Sequence, residues 1–196
     1  MAETFVPPDG GGGGNPYTDP DGLTTGDHAT KVVVGLRVDY GRLLDRIIAI
    51  YRTINSDYSL GPLSYGDVHG NGGGGDVKGL DLLAPDGWVA TGMNLRTGDE
   101  VDQVQLVFRE WRGCAGLGRV ERTSAVAGGT GGLPHTERAS GNEFVCGIHG
   151  RSGYRNDALG PIYAVHPGDH GPPLVPFSAV SWLRGPMERH AGHGSN

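Results

Sequence analysis

Three aspartates of this chain stand in the same glycine framework, and they are the residues most suited to binding chemistry. Each aspartate lies four residues after a glycine, and another glycine lies six residues before that one. The aspartates are Asp45, Asp102 and Asp157. An ionised carboxylate only accepts hydrogen bonds and has about four lone-pair positions, so it can take two hydroxyl donors at once. It can equally accept the N–H groups of its own turn, and the residue types alone leave both roles open.

The three segments stay in register well beyond the aspartates, which indicates an internal repeat. They are VVVGLRVDYGRLLDRIIAIYR from Val32 to Arg52, VATGMNLRTGDEVDQVQLVFR from Val89 to Arg109, and FVCGIHGRSGYRNDALGPIYA from Phe144 to Ala164. Apolar residues follow each aspartate at the second and fifth positions, and an aromatic residue follows at the sixth. The glycines that open the turns are 57 and 55 residues apart. Repeats of this kind are supersecondary units that pack on one another to bury a common core.

A glycine cluster precedes each repeat, at Gly10 to Gly14, His69 to Gly75 and Ala127 to Gly132. A short turn with Gly and Asp between two apolar runs predicts a β-hairpin. The upstream glycine in mid-strand predicts a bulge or a close approach of two backbones. Arg37 and Arg151, just before two of the turns, are expected to be solvated or to bond turn carbonyls. Each repeat is therefore predicted to be a small sheet, and one such sheet is too small to be stable alone.

The composition supports the prediction of small sheets and excludes several classes of function. The chain has 37 glycines and 13 prolines but only two lysines, which favours many short strands joined by turns over helices. A formal net charge of −6 argues against a protein that grips a nucleic-acid backbone. No apolar run is long enough to span a membrane, and the N-terminus lacks the regions of a secretory signal. We expect no nucleic-acid partner and no membrane insertion, and both a cytoplasmic location and a non-classical export route remain open.

The remaining reactive residue types form no pattern that predicts catalysis, a cofactor or a metal site. Cys114 and Cys146 are too few for a disulfide scaffold, and either one bridge or two buried thiols is compatible with the sequence. The histidines of HPGDH, His166 to His170, and of HAGH, His190 to His193, lack a third clustered ligand, so we expect exposed tail histidines. No nucleophile is followed by a base in the context of a known motif, so we expect no enzymatic activity.

The stretches GRSGYRNDALGPIYA, GRLLDRIIAIY and HGNGGGG resemble the jacalin-related lectins, and the likeness covers roughly Gly10 to Val165. The resemblance implies an all-β fold, the β-prism, in which three four-stranded Greek-key sheets surround a pseudo-threefold axis. It implies a non-catalytic carbohydrate-binding protein whose partners are glycans. In that family the aspartate of a GxxxD loop binds a monosaccharide together with backbone N–H groups of its own and a neighbouring glycine loop. The implied domains are the β-prism in residues 1–166 and a Pro/Gly-rich extension in residues 167–196.

Carried over to this chain, the resemblance implies three groups of carbohydrate-binding residues, each with a facing glycine loop. The first group is Gly13, Gly14, Gly153, Tyr154, Arg155, Asn156 and Asp157. The second group is Gly41, Arg42, Leu43, Leu44, Asp45, Gly73 and Gly74. The third group is Gly98, Asp99, Glu100, Val101, Asp102 and Gly131.

The resemblance also bears on specificity. Mannose or glucose is implied rather than galactose, because nothing in the sequence indicates the N-terminal cleavage of the galactose-preferring branch. Asn156 departs from the family pattern, which commonly has an apolar residue before the aspartate. Asp99 and Glu100 add negative charge beside Asp102, which disfavours anionic ligands and could instead favour a cation.

A structural, self-assembling β-prism without a working sugar site is the alternative. The stretch PDGWVATGMNLRTGDEVDQVQL resembles the egg vitelline outer-layer proteins, which keep the fold without that site. The stretch PGDHGPPLVPF, residues 167–177, is expected to be extended, and a short helical turn is expected within Phe177 to His190, before Gly185 and Pro186. The apolar residues of this extension would be unfavourable in water as a patch, so we expect them to dock on the prism or on another subunit. A homo-oligomer is therefore expected.

Overall fold

The computed structural model describes residues 3–21, 29–71 and 77–170. Within these ranges the chain forms fourteen β-strands and two short 3-10 helices, at Gly113–Ala115 and Pro167–His170. No helix in the described ranges is long and apolar enough to cross a membrane. The strands are β1 (Thr4–Phe5), β2 (Asp9–Gly10), β3 (Asn15–Asp19), β4 (Lys31–Tyr40), β5 (Leu44–Ile54), β6 (Leu60–His69), β7 (Lys78–Leu83), β8 (Trp88–Thr97), β9 (Val101–Trp111), β10 (Leu117–Thr123), β11 (Ala127–Gly128), β12 (Leu133–Arg138), β13 (Glu143–Ser152) and β14 (Asn156–Val165).

The strands form three antiparallel sheets, one around each repeat. The first sheet has the order β6-β5-β4-β7, and the second has the order β10-β9-β8-β12 with β11 also paired to β9. The third has the order β1-β14-β13-β3 with β2 also paired to β14. Two sheets thus have five strands rather than the expected four, because the outer strand that corresponds to β6 is divided into two short pieces. The expected all-β prism of three sheets is confirmed.

The third sheet combines the two ends of the described chain. Strands β1, β2 and β3 precede the first repeat, yet they pair with β13 and β14 of the third repeat. This pairing brings the glycine cluster Gly10 to Gly14 beside the turn that carries Asp157. The first glycine cluster in the chain is therefore the neighbour of the turn of the last repeat.

The three GxxxD turns are the predicted hairpins, and backbone bonds close them. In each turn the opening glycine donates its N–H to the carbonyl two residues later, at N···O distances between 2.9 and 3.1 Å. The next strand then begins at the residue just before the aspartate. The aspartate carboxylate is consequently not needed to close the turn. The donor–acceptor pairs are Gly41–Leu43, Gly98–Glu100 and Gly153–Arg155.

The upstream glycines meet both expectations for a mid-strand glycine. The register of each hairpin shifts just before that glycine, which marks a β-bulge. A Cβ added to Gly35 would lie 2.9 Å from the Leu82 carbonyl oxygen, and one added to Gly147 would lie 2.6 Å from the Asp19 carbonyl oxygen. A larger residue at either position would collide with the backbone of the neighbouring strand, so both positions require glycine.

The core lies where the three sheets face one another, and it is built from equivalent positions of the repeats. Strands β4, β8 and β13 contact one another across the centre of the prism. Burying an aliphatic or aromatic side chain of this size contributes about 1.5–3 kcal/mol relative to leaving it exposed. The residues after the upstream glycine (Leu36, Met93, Ile148), two after the aspartate (Ile47, Val104, Leu159) and six after it (Tyr51, Phe108, Tyr163) are all buried.

Two expectations about reactive side chains need correction. His166 was expected to be an exposed tail histidine, but its side chain is fully buried and its ring lies 4.3 Å from the Trp111 ring. It is buried because the chain turns back across the end of the prism after β14. Cys146 is buried and Cys114 is exposed, and both thiols are free, so neither the bridge nor a pair of buried thiols is formed. His190 to His193 and the apolar part of the C-terminal extension lie outside the described residues.

Candidate functional site

The three GxxxD turns lie together at one end of the prism. Arg155, from the third turn, contacts the first turn at Asp45 and the second turn at Glu100. Each glycine loop also borders a neighbouring turn: a Cβ added to Gly129 would lie 2.6 Å from the Arg42 carbonyl oxygen. The turns and loops therefore alternate around the pseudo-threefold axis, and the three candidate sites share one surface.

The Asp157 carboxylate lies directly against the N-terminal glycine loop. A Cβ added to Gly14 would lie 2.5 Å from Asp157 Oδ2, and one added to Gly13 would collide with Oδ1. The Gly11 N–H donates to the Asp157 carbonyl at 2.9 Å, which fixes the loop next to the turn. The side chain of Asp157 is half-buried. No described residue donates a hydrogen bond to its carboxylate, so the acceptor positions are open.

The Asp102 turn repeats this arrangement with the loop of the second sheet. A Cβ added to Gly132 would lie 2.6 Å from Asp102 Oδ2, and one added to Gly131 would collide with Oδ1. The Gly129 N–H donates to the Asp102 carbonyl at 2.8 Å. Asp102 is 9% exposed, less than Asp157, but its carboxylate likewise receives no hydrogen bond from a described residue.

An arginine holds each of these two loops in place. Arg151 donates from Nε to the Gly13 carbonyl at 2.7 Å and from Nη2 to the Gly14 carbonyl at 2.8 Å. Arg96 makes the same pair of bonds to Gly131 and Gly132, at 2.7 and 2.8 Å. A guanidinium fork suits two adjacent acceptors because its donors lie in one rigid plane. Arg151 was expected to be solvated or to bond turn carbonyls, and it bonds carbonyls of the facing glycine loop instead. Arg96 was not singled out from the sequence.

The Asp45 turn differs from the other two. Its carboxylate is 4% exposed and accepts a hydrogen bond from Arg155 Nε at 3.1 Å. Burial alone would lower the pKa of Arg155, but the hydrogen bond to Asp45 and the charge of Glu100 outweigh it and raise that pKa. Arg155 is therefore a permanent cation at the junction of the three turns. The predicted partners Gly73 and Gly74 lie outside the described residues.

The residue just before each aspartate is buried, and this explains the departure at Asn156. Leu44, Val101 and Asn156 occupy the same position and are all fully buried. The side-chain N–H of Asn156 donates to the His69 carbonyl at 3.2 Å, which provides one partner for the buried amide. Leu44 and Val101 pack into the apolar core cluster.

Of the predicted binding residues, the structure brings Gly13 and Gly14 to Asp157 and Gly131 to Asp102. The side chains of Arg42 and Tyr154 point to solvent, and Tyr154 is 59% exposed. Sequence reasoning did not anticipate the two arginine forks or the role of the Arg155 side chain. The forks had a signal in the repeats, since Arg96 and Arg151 both stand two residues before the opening glycine.

Comparison with known proteins finds solved structures of the same fold. A Malaysian banana lectin is 18% identical with a TM-score of 0.60, covering 85% of this chain and 100% of that one. Artocarpin in complex with mannotriose is 20% identical with a TM-score of 0.59, covering 84% and 99%. Calystegia sepium agglutinin is 17% identical with a TM-score of 0.58, covering 85% and 98%. No protein-family model matches the sequence, and no curated protein sequence matches it.

These neighbours are jacalin-related lectins, so the resemblance seen in the sequence is confirmed at the level of the fold. Artocarpin is described as a lectin with mannose specificity. The family is not known for enzymatic activity. At these identities the comparison establishes the β-prism itself, and the ligand must be argued from the residues at the end of the prism.

Proposed function

We propose that this protein is a non-catalytic lectin that binds mannose- or glucose-type units of glycans at the Asp157 and Asp102 turns, with galactose the less favoured sugar. The observation that carries the proposal is the pair of carboxylates with open acceptor positions. Each lies against a glycine loop, and neither accepts a hydrogen bond from a described residue. The alternative, in which the aspartate closes its own turn, is disfavoured because backbone bonds already do so.

The chemistry of this arrangement suits two neighbouring hydroxyl groups of a hexose. The carboxylate accepts both O–H groups, and charge-assisted bonds of this type are shorter and stronger than neutral ones. Loop and turn N–H groups, such as those of Gly14 and Tyr154, are available to donate to sugar oxygens. One monosaccharide offers few groups to bind, so we expect millimolar affinity for it, about −4 kcal/mol. Useful avidity then comes from several sites engaging one glycan-bearing surface.

Charge and the structural neighbours guide the choice of sugar. Asp99 and Glu100 stand beside Asp102, and of these two acids only Glu100 is paired with Arg155, so the Asp102 site disfavours anionic sugars. Artocarpin, one of the neighbours, is described in complex with mannotriose and with methyl α-mannose. Neutral mannose- or glucose-containing glycans are therefore the proposed ligands.

The proposal is tested by titrating the ¹⁵N-labelled full chain with methyl α-mannoside, methyl α-glucoside and methyl α-galactoside. We expect amide shifts at Gly13, Gly14 and Tyr154 with the mannoside or glucoside. The double variant Asp102→Asn/Asp157→Asn should lose these shifts, because the amide is uncharged and its NH2 group donates where the second carboxylate oxygen accepted. Asp86→Asn is the matched control, since Asp86 is almost fully exposed outside the three turns and, among the described residues, pairs with Arg52 alone. Sugar binding that persists in the folded double variant contradicts the proposal.

Self-assembly is the second candidate function, and an exposed apolar strip supports it. Leu63, Tyr65 and Val68 of the edge strand β6 are between 43% and 58% exposed, and Leu83 of β7 is 46% exposed. Exposed apolar side chains on an edge strand favour association with another chain. The variant Leu63→Ser/Val68→Ser should then lower the mass measured by analytical ultracentrifugation while sugar binding per chain persists. An unchanged mass contradicts assembly through β6. The two functions are compatible, because assembly multiplies weak sugar sites.

A further inference from the structure

We infer that only two of the three GxxxD turns bind sugar, and that Asp45 is instead the ion-pair partner that ties Arg155 into the end of the prism. The inference rests on the proposed function and fixes how many ligands one chain carries. Four independent features separate the Asp45 turn from the other two.

The first feature is the occupancy of the carboxylate. Asp45 Oδ1 accepts the Arg155 Nε–H at 3.1 Å, and the carboxylate is nearly fully buried. Arg155 Nη1 also reaches Glu100 Oε2 at 3.4 Å, so the guanidinium is held from two sides. A sugar that used Asp45 would have to displace this cation and leave it without its main partner. The pair is partly buried, since the carboxylate is enclosed and the guanidinium is about one third exposed, so the main loss would be the hydrogen bond to the enclosed carboxylate.

The second feature is the path of the glycine loop. At the other two turns the residue after Gly10 or Gly128 donates its N–H to the carbonyl of the aspartate, from Gly11 to Asp157 and from Gly129 to Asp102. At the Asp45 turn the equivalent residue, Asn71, donates instead to the Tyr154 carbonyl at 3.2 Å. The described start of this loop is therefore attached to the neighbouring turn.

The third feature is the missing arginine fork. Arg96 and Arg151 stand two residues before the opening glycine, and each holds two loop carbonyls. The equivalent position of the first repeat is Asp39, which forms an ion pair with Arg46. A carboxylate cannot donate to carbonyls, so the first repeat has no counterpart of the fork.

The fourth feature is the surface next to this turn. An open cleft does adjoin it, lined by Tyr40, Gly41, Arg42, Val77, Lys78 and Gly128. Asp45 does not line that cleft. Among the described residues that line this cleft, the charged side chains are the cations Arg42 and Lys78, and none is an acid.

The consequence is a chain with two sugar sites that are neighbours. The loop of the Asp157 site borders the turn of the Asp102 site, because a Cβ on Gly11 would collide with the Asp99 carbonyl. The Asp45 turn has a structural role instead, because Asp45 binds Arg155 and Arg155 connects the three turns. Two sites per chain, rather than three, is the valence available for binding a glycan-bearing surface.

The test counts bound methyl α-mannoside per chain by calorimetric titration and maps the contacts by amide shifts in the full chain. We expect two ligands, with shifts at residues 98–102 and 153–157 and none at residues 41–45. Asp102→Asn and Asp157→Asn should each leave one ligand bound. Asp45→Asn should leave two, and should unfold at a lower temperature because Arg155 loses its partner.

The possible outcomes separate this inference from the proposed function. Three bound ligands, one bound ligand, or shifts at residues 41–45 overturn the inference while the protein remains a lectin. No binding of the mannoside, the glucoside or the galactoside rejects the lectin proposal and the inference with it. If Asp45→Asn does not fold, the count and the shift map of the unaltered chain decide the question alone.

Discussion

At the scale of single residues, the two candidate sugar sites depend on positions where only glycine fits beside a carboxylate. Gly13 is such a position, whereas its neighbour Gly12 has no heavy atom within 4 Å of an added Cβ. Neither residue has a backbone angle that requires glycine. Replacing Gly13 adds a clash with the carboxylate and also stiffens the loop, whereas replacing Gly12 only stiffens the loop. Comparing the two variants therefore isolates the effect of the clash.

We expect Gly13→Ala to weaken sugar binding at the Asp157 site about tenfold or more, corresponding to about 1.4 kcal/mol or above. The new methyl group would push the Asp157 carboxylate out of its position while the strands stay intact. Gly12→Ala is the control and should bind as the unaltered chain does. Calorimetric titration with methyl α-mannoside measures the affinity of both variants. Equal affinities would show that the position of the Asp157 carboxylate against Gly13 does not matter for binding.

The sequence predicted part of this residue-level picture. Gly13, Gly14 and Gly131 were predicted beside their aspartates, and the structure places them there. The side chain of Arg155 was not predicted to bond Asp45, because the two residues are 110 positions apart and belong to different repeats. Repeat alignment identifies equivalent residues but does not show which turns meet around the axis.

At the scale of elements, the short N-terminal strands position the loop of the Asp157 site. Strands β1 and β2 pair with β14, and between them the Val6 carbonyl accepts a hydrogen bond from His149 Nε2 at 2.6 Å. Pro7 and Pro8 interrupt the strand here, because proline has no N–H for the ladder. The division of this outer strand was not predicted, although the two prolines were a signal for it.

The His149 contact predicts a dependence of stability on pH. Burial lowers the pKa of His149 below its ordinary value of about 6.5, although the Val6 bond opposes this. The unfolded chain therefore takes up a proton below about pH 6.5 that the folded chain resists, and the free energy of unfolding falls as the pH falls. We expect urea midpoints to drop between pH 7.5 and 5.5 and to drop less in His149→Gln. An equal drop in that variant would assign the effect to other groups.

A buried polar cluster connects the third sheet to the first. The Tyr51 hydroxyl lies 2.7 Å from the Asp19 carbonyl oxygen and 3.0 Å from the Asp19 carboxylate, so these two acceptors share its one proton. His69 of β6 lies 3.2 Å from the same carboxylate. Burial, followed by the charge of Asp19, raises the pKa of Tyr51, so the hydroxyl keeps its proton and remains a donor. The sequence identified this position only as the aromatic residue that follows the aspartate by six, because its partner Asp19 lies in another sheet.

We expect Tyr51→Phe to lower the free energy of unfolding by about 1–2 kcal/mol, since Asp19 loses a buried donor. The ring still fills the core, so no cavity contributes. Tyr65→Phe is the matched control, because Tyr65 is half exposed on β6, and a change below about 0.5 kcal/mol is expected there. Urea unfolding of both variants measures the difference. Similar losses in both would mean that the Asp19 bonds contribute little.

At the scale of the whole molecule, the repeat made the fold predictable. Three segments with the same glycine, aspartate and aromatic spacing require three equivalent environments, and packing around one axis supplies them. The equivalent core positions are buried as that symmetry demands. The number of strands was less predictable, because a single residue can interrupt an outer strand. Ser124, between β10 and β11, is such a residue: its hydroxyl accepts the Leu106 N–H in place of a backbone carbonyl.

The last prediction concerns the boundary between the prism and its extension. The buried apolar clusters are assembled from residues between Val32 and Ala164. At Pro167–His170 the chain turns across the end of the prism where Gly113–Ala115 lies. A variant ending at residue 170 should therefore still unfold cooperatively and bind methyl α-mannoside with unchanged affinity per chain. If residues 171–196 hold the expected assembly contacts, the same variant should show a smaller mass by analytical ultracentrifugation. Loss of cooperative unfolding would instead place part of the folding core in the extension, and an unchanged mass would move the search for assembly contacts to the exposed strip on β6.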